Sequence, residues 1–502
     1  MSGSISFSTI PPNIRVPLFY AEFSTTNAGV SQPVQRTLII GGTPNAAPAT
    51  PTYVPSPAWA QGAYGAGSQL ALMIAAYRAN DPVGEIWALP VSDNVAGAAA
   101  TGSLTITGTA TANGTLQLYL AGAYVPVAVA SGNTAAQVAS AIAAAIGAMP
   151  TLPLTASAAA GVVTLTAREK GTLGNAMPLV LNYLGAQGGQ TTPPGLAVAI
   201  GAMAGGATDA SLASIVTWLG NLGFDFVVNP YANATALGYT TALMSDSAGR
   251  WSYSNAVYGH VFTADQDTAA NLIAFGAAQN DQHLTVLGVN TASPTPPWIW
   301  AAAFVGAIAP ALKADPARPV QTLPIAGVLP PPSASDFTFT QQQSLLTAGI
   351  AVAARVPGGG TAMVRAVTTY QLNSQGVADA SYLDTETLFT LMAFVRSMKA
   401  TITQKFPRAK LAADGTRFGA GQPIVTPAIA RGVLIAAYAA FELQGLVQNT
   451  AAFGAGLICA INANDPTRLD VLLDPILVSG LRIFAALTEF TLQAPATAAV
   501  AA

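Results

Sequence analysis

The sequence is short of charge. Only 8% of its 502 residues are Asp, Glu, Lys or Arg, where an ordinary soluble domain carries about a quarter. Not one charged residue lies between Asp93 and Arg168. At a formal net charge of −3, a lone monomer would have little electrostatic protection against its own copies. A stable assembly would keep such a surface covered. The net charge and a pI of about 5.4 argue against a nucleic-acid binder, and the short clusters Lys399–Lys405 and Arg408–Lys410 are neither long nor pure enough to change that. A single Cys excludes an intramolecular disulfide framework and any Cys-rich zinc site. That residue, Cys459, lies in the apolar run GLICAI and reads as a buried, inert thiol.

Long apolar runs are also missing, despite a mean hydropathy of +0.45. The best candidate, Trp298–Leu312, contains Pro310 and falls short of the roughly 20 residues that a span needs. Gly432–Phe441 is shorter still. The opening MSGSISFSTIPP has neither a basic n-region nor a long apolar h-region. The expectation is a chain made and used in the cytosol, without a membrane span.

What is present reads as alternating strands and helices. Residues 1–20 contain Pro11, Pro12 and Pro17 and form an extended arm. Arg36–Gly42 is a buried strand, and Thr43–Pro57 a Pro-rich loop. A helix is expected around Ser68–Arg78, and Glu85–Val91 is the next strand, completing a β-α-β unit. Residues 96–205 look different. SLTITGTATANGTLQLYLAG suggests a hairpin turning at Asn113-Gly114. An Ala-rich helix follows at Thr134–Ile146, then a strand at Val162–Ala167. This segment reads as an α+β domain inserted into a larger fold.

The rhythm then resumes. Thr208 or Asp209 is expected to cap a helix whose Leu212, Ile215, Val216 and Leu219 share a face. Strands are expected at Phe224–Val228, Val257–Phe262 and Leu284–Val289, with helices at Ala234–Met244 and Asp265–Gln279. Strands separated by helices specify a parallel sheet covered on both faces, in which the 298–312 run is a core helix. A hairpin at Ile350–Tyr370 turns at Gly358–Gly360. Helices at Asp384–Lys405 and Pro427–Val447 follow, then a strand near Leu457–Ile461. The segment Leu481–Gln493 is a second extended arm, and APATAAVAA a weakly structured tail.

Chemistry is hard to find. No GxSxG nucleophile elbow, HExxH zinc helix or GxxxxGK[ST] phosphate loop occurs. His260 and His283 are the only histidine bases available. Gly41-Gly42 reads as a strand-exit turn rather than a phosphate loop, and Gly358–Gly360 as a hairpin loop. Asp265 with Asp267 reads as helix-start capping rather than a metal pair, and Asp384 with Glu386 likewise. Asp246, between Ser245 and Ser247 and near Arg250, reads as a helix C-terminal turn. A hydrolase built from Asp225, His260 and a serine lacks a strained nucleophile turn. Expected cofactors, metals and catalytic residues are therefore none.

The arms carry more information. Ordering ten residues costs on the order of 10–20 kcal/mol, while roughly five to ten hydrogen bonds return about 1 kcal/mol each. Backbone pairing alone does not hold an arm, so buried side chains must add about 1.5–3 kcal/mol each. Ile5, Phe7, Ile10 and Ile14 are available at one end. Leu481, Ile483, Phe484, Leu487, Phe490 and Leu492 are available at the other. These segments pair either with neighbouring subunits or within their own chain.

Ser6–Phe23 with Arg36–Gly41, Ser131–Ile146, Gly161–Asn175, Pro427–Phe453 and Asn462–Leu487 resemble the contractile-tail sheath proteins of Mu-like phages. The resemblance spreads along nearly the whole chain and contains no catalytic string. It implies a structural subunit of α/β fold, with a parallel or mixed sheet core of subtilisin-like layout, an inserted α+β domain and extended arms. The expected divisions are 1–20 (arm), 21–95 and 206–330 (core), 96–205 (outward-facing insertion), 331–480 (C-terminal α+β part) and 481–502 (arm strand and tail). It further implies a helical homopolymer around a tail tube, with baseplate and tail terminator or neck proteins as partners. The location would be the virion tail, assembled in the host bacterial cytoplasm. Another polymeric virion or surface protein (a tail tube, an adhesin) and a subtilisin-like hydrolase are the alternatives. The uncharged stretch falls in the insertion, so an outward position would leave it soluble only through Ser, Thr, Asn and Gln, or through contacts with something else.

Overall fold

The computed structural model describes residues 35–44, 48–490 and 492. Strand β1 (Thr37–Thr43) leads through a short strand β2 (Thr52–Tyr53) and helices α1 (Pro57–Tyr64) and α2 (Gln69–Arg78) to β3 (Ile86–Ser92). Next come β4 (Ala99–Gly108), β5 (Gly114–Leu120), β6 (Ala123–Val129), α3 (Ala135–Gly147), β7 (Leu154–Ala159), β8 (Val162–Lys170), β9 (Leu179–Leu181) and β10 (Leu196–Ala204). Alternation resumes with α4 (Ile215–Leu219), β11 (Phe226–Val228), α5 (Ala234–Met244), β12 (His260–Asp267), α6 (Ala269–Ala278), β13 (Leu284–Asn290) and α7 (Pro297–Ala314). After α8 (Phe339–Thr347), β14 (Ile350–Arg355) and β15 (Thr361–Arg365) form a hairpin. The last elements are α9 (Thr385–Lys405), β16 (Lys410–Leu411), β17 (Ile424–Val425), α10 (Pro427–Leu443), α11 (Thr450–Gly456), β18 (Ile458–Ile461) and β19 (Leu469–Leu472).

The architecture is mixed α/β with several sheets. The central one has eight strands in the order β15-β14-β13-β12-β11-β1-β3-β2. All its internal pairings are parallel, and only the edge strands β15 and β2 run against their neighbours. Helical connections between strands require this arrangement. Alternate residues face opposite ways: Ile39, Phe226, Phe262 and Leu287 pack with α2 and α7, while Leu38, Ile40, Val227 and Val286 pack with α4, α5 and α6. Helix α7 is apolar and long enough to cross a membrane, yet 67% of it is buried inside the body. A Cβ at Gly41 would come within 2.9 Å of Leu70 Cα. Gly41 and Gly42 therefore lie inside β1, against the expected exit turn, because α2 crosses too closely for a side chain.

The expected hairpin at Asn113-Gly114 does not form. Strand β4 joins β10 and β8, whereas β5 joins β6 and β9 in a separate three-stranded sheet. Neither Asn113 nor Gly114 is among the residues with positive φ, which the tight hairpin turn needs at both positions. Leu104, Ile106, Leu116 and Leu118 are all buried in one cluster, so these strands bury their apolar faces by stacking rather than pairing. The tight turns are instead Ala121-Gly122 (φ 49 and 86) and Ala160-Gly161 (φ 48 and 86), joining β5 to β6 and β7 to β8.

Other expectations shift for local reasons. The helix expected after Asp209 shrinks to α4 and leaves Val216 exposed. The Asp209 carboxylate is taken up by the Thr172 N–H (2.5 Å) and hydroxyl (2.7 Å) and by Asn233 Nδ2 (3.0 Å), which ties the chain exit to the preceding region. Strand β12 starts at His260 because Tyr258 and Gly259 adopt positive φ. Helix α6 starts at Ala269 under a Thr268 cap, so Asp265 and Asp267 belong to the strand. Helix α1, unanticipated in the Pro-rich stretch, begins with Pro57 under a Ser56 cap.

Between β1 and β11 the strand order reverses, since the chain runs from β1 to β3 on one side and later to β11 on the other. The crevice at the carboxyl ends of such strands is where open α/β sheets bind ligands. Here residues of the 99–204 region fill it. Glu169 Oε1 accepts the Gln69 N–H at 2.9 Å, and Gln69 Oε1 accepts the Gly42 N–H at 2.8 Å. Glu169, Asp93, Met177, Tyr231 and Trp298 enclose a cavity with room for about one water molecule. Burial pushes the Glu169 carboxyl up to about 8, helped by Asp93 and opposed by the Gln69 N–H and Arg168. The folded state thus keeps a proton that the unfolded chain, with an ordinary value of 4.5, releases. Stability is full below pH 4.5 and declines as pH rises from there towards 8. Urea titrations of the full chain are expected to show this loss, and Glu169→Gln should remove it, gaining a few kcal/mol over the native chain at pH 8. Equal pH slopes for the two proteins would refute the assignment.

Candidate assembly surface

The residues singled out for chemistry are dispersed. His260 is fully buried, its Nε2 lies 2.8 Å from Thr285 Oγ1, and its ring meets Phe262 at 4.7 Å. Burial holds it well below the usual histidine range, so it is neutral. The Asp225 carboxylate is engaged by Arg396 and by the Arg36 N–H at 3.3 Å, away from the His260 ring. No Asp225–His260 dyad forms. His283 stacks on Trp251 at 4.4 Å, and its Nε2 lies 2.9 Å from Asp246 Oδ1, a bond that lowers the Asp246 carboxyl. Ser245 and Ser247 bond to each other at 3.0 Å, beside this pair. Arg250 is buried and donates to the carbonyls of Leu222 and Tyr258.

Asp267 Oδ1 accepts the N–H of Thr268 and Asn271 Nδ2, while Asp265 Oδ1 accepts the Gln266 N–H. Among the described residues no three His, Cys, Asp or Glu side chains form a metal cluster. Gly358–Gly360 make the β14–β15 turn, all with positive φ. Cys459 is half-buried on β18 rather than fully buried, and burial pushes its thiol up.

Asp384 and Glu386 do not act as helix caps. Asp384 stands at the N-cap of α9 without a capping bond. Its carboxylate instead receives Arg365 Nε (2.8 Å) and Nη2 (2.9 Å) and lies 3.3 Å from Arg482 Nη2. Glu386 Oε1 accepts the Val320 N–H at 2.8 Å and lies 2.9 Å from Arg482 Nη2. The partner arginines are remote in sequence, which is why local spacing suggested capping.

Three surface features stand out. The first is the antiparallel pair β18–β19, a two-stranded sheet that no third strand joins among the described residues. Cys459 packs on the α10 side. Ile458 and Leu472, opposite each other in the register, are each 57% exposed. Sequence reading located β18 but missed β19, whose signal is the Asn462–Pro466 turn ahead of LDVL.

The second feature is the C-terminal segment. After β19 the chain pairs back at Val447↔Leu477, and Tyr438 Oη receives the Ile476 N–H at 3.0 Å. Beyond Arg482 neither helix nor strand forms in the described residues. Ile483, Phe484, Leu487, Phe490 and Leu492 are exposed, Phe484 by 85% and Leu487 by 89%, and Leu481 is exposed as well. Ile5, Phe7, Ile10 and Ile14 lie outside the described residues.

The third feature is cationic. Lys399 and Lys405 on α9, Arg408, Lys410 and Arg417 in the connection to α10, and Arg431 on α10 are all exposed, with Asp414 the only acid among them.

The family model for the phage tail sheath protein beta-sandwich domain matches residues 95–206, and that for the phage tail sheath protein central domain matches residues 205–369. The chain is 37% identical over 494 residues to the Mu-like prophage FluMu tail sheath protein of Haemophilus influenzae, covering 97% of this chain and 100% of that protein. A sheath tail protein crystal structure from Desulfitobacterium hafniense aligns at 10% identity with a TM-score of 0.47, over 92% of this chain and 100% of that one. A chain of the anti-feeding prophage baseplate in its contracted state aligns at 12% identity with a TM-score of 0.45, over 96% and 99%. On the strength of the Haemophilus relative and the two matching domains, the chain belongs to the tail sheath proteins of Mu-like phages.

Proposed function

We propose that the chain is the structural subunit of a contractile tail sheath. It polymerises helically around a tail tube and contracts by subunit rearrangement, driving the tube through the host envelope. The observation that carries this reading is the pairing of an exposed apolar arm with an open-edged hairpin on one subunit. Ile483, Phe484, Leu487, Phe490 and Leu492 are exposed, and among the described residues no further strand joins β18–β19, beside whose edges Ile458 and Leu472 are exposed. An arm added to a neighbour's sheet gains backbone hydrogen bonds and buries alternate side chains. A contact between unlike surfaces repeats without closing and generates a helical polymer. Ile5, Phe7, Ile10 and Ile14 would serve the same purpose at the other end.

In this reading the role is structural rather than catalytic. The central sheet is the sheath-type, subtilisin-like core; its strands come from 21–95, from 206–330 and, as β14 and β15, from 331–480. The insertion at 96–205 faces outward, 331–480 forms the inner C-terminal part, and 1–20 and 481–502 are the arms. Contraction is a rigid-body move from a metastable packing to a lower-energy one, with the arms as tethers. Assembly takes place in the host bacterial cytoplasm, and the product is part of the virion tail. Partners besides its own copies are the tail tube protein, the baseplate and the tail terminator or neck proteins. The cationic surface of α9 and α10 supports a tube partner that presents carboxylates.

Deletion of residues 483–502 is expected to leave the urea midpoint of the subunit unchanged, because Ile483, Phe484, Leu487, Phe490 and Leu492 are exposed, and to abolish hollow tubes in negative-stain images. Full-length tubes from the truncated chain would refute the arm reading. Lys405→Glu/Arg408→Glu/Lys410→Glu is expected to form empty sheath-like tubes but to coat purified tail tubes at least about tenfold less, given the sensitivity of association to charge matching. Equal coating would remove this surface from the tube interface.

A further inference from the structure

If the C-terminal arm holds a neighbouring subunit, any pull along it ends at the first residue gripped by the body. Tracing back from exposed Ile483, that residue is Arg482, whose side chain is only 13% exposed. Its guanidinium bridges Glu386 (2.9 Å) and Asp384 (3.3 Å). The preceding backbone is also fixed. Leu481 O accepts Gln321 Nε2 at 3.2 Å, and Gly480 lies so close to Pro319 that a Cβ there would meet its ring at 2.5 Å.

The two carboxylates are themselves held by other groups. Arg365 on β15 holds Asp384 through Nε and Nη2, and the Val320 N–H holds Glu386. Both acids stand at the start of α9, which is tied to β13 and β11 of the central sheet. Thr385 Oγ1 lies 3.0 Å from Thr285 Oγ1 on β13, Phe389 stacks on Phe226 of β11 at 4.7 Å, and Arg396 bonds Asp225 just before β11. An apolar contact at the root would let the arm swivel, because burial is non-directional. Arg482 Nη2, placed between two held carboxylates, and the Leu481 carbonyl, held by Gln321, constrain the root at two successive residues.

We propose that Arg482 is the positioning residue of the C-terminal arm: its bridge to Asp384 and Glu386 fixes where and in which direction the arm leaves, and passes tension on the arm into α9 and the central sheet. The proposal rests on the arm reading above and adds a specific anchor to it. Fixing the root in advance spares that ordering at assembly. Releasing one residue of backbone should therefore raise the concentration needed for polymerisation about tenfold.

The test uses the full chain with Cys459→Ser and spin labels at Ala485→Cys on the arm and Gln343→Cys on α8. The native arm root should give a narrow distance distribution in the free subunit, and Arg482→Gln a broad one. Glu386→Gln/Arg482→Gln, which strands no unpaired Glu386 carboxylate, should keep the native urea midpoint yet polymerise only at about tenfold higher concentration. Arg482→Lys, able to reach one carboxylate at a time, should recover only part of the loss. Native distances and native polymerisation in the double variant would overturn the anchor. If, in addition, deletion of 483–502 blocks assembly, the anchor alone fails; if that deletion is harmless, the arm reading fails with it.

Discussion

Helix α9 is the member on which the rest of the C-terminal structure hangs. Its first half belongs to the core of the central sheet, where Phe389 stacks on Phe226 and Met392 is buried. Its second half belongs to a separate core, in which Phe394 and Met398 meet Tyr438 and Phe441 of α10. One helix thus bolts two hydrophobic cores together. The hairpin β18–β19, the cationic surface and the arm root are all positioned from it. The bolt works because both halves bury aromatic side chains, whose large contact area resists sliding.

Scarcity of charge takes on a structural meaning once the pairs are located. Arg396–Asp225, Lys313–Asp81 and the Arg365–Asp384–Arg482–Glu386 group each join segments far apart in sequence. Exposed ion pairs add little stability. Partly buried ones add direction, because only one geometry satisfies them. The chain places part of its small complement of charge at joints. The cationic group near the α9–α10 connection is instead exposed and, among the described residues, makes no ion pair.

The central β/α alternation was legible in the sequence because fully buried parallel strands are continuous apolar runs, as in Leu284–Val289; the Ser68 and Asn233 caps that start α2 and α5 came from the structure. Asn113-Gly114 misled because a strong local turn signal was outweighed by burial of β4 and β5 in facing sheets. The true turns carry alanine at positive φ, which local rules disfavour. Asp384 and Glu386 were misread because nothing local announces Arg482, almost a hundred positions away. Apolar Phe484 and Leu487 drew notice as arm residues through composition, while their exposure had to come from the structure.

The absence of a recognisable catalytic motif acquires a physical reason at the strand-order reversal. In an open parallel sheet this is the crevice that ordinarily receives a ligand. Glu169, Leu173 and Met177 of the region between β3 and β11 occupy it, leaving room for little more than a water molecule. A protonated carboxyl is tolerable there because its partner is a backbone N–H rather than a counter-ion. The same chain segment that interrupts the sheet therefore seals it. Among the described residues, the exposed apolar groups of the β18–β19 hairpin and of the C-terminal segment and the cationic group near the α9–α10 connection lie instead on the outside of the molecule.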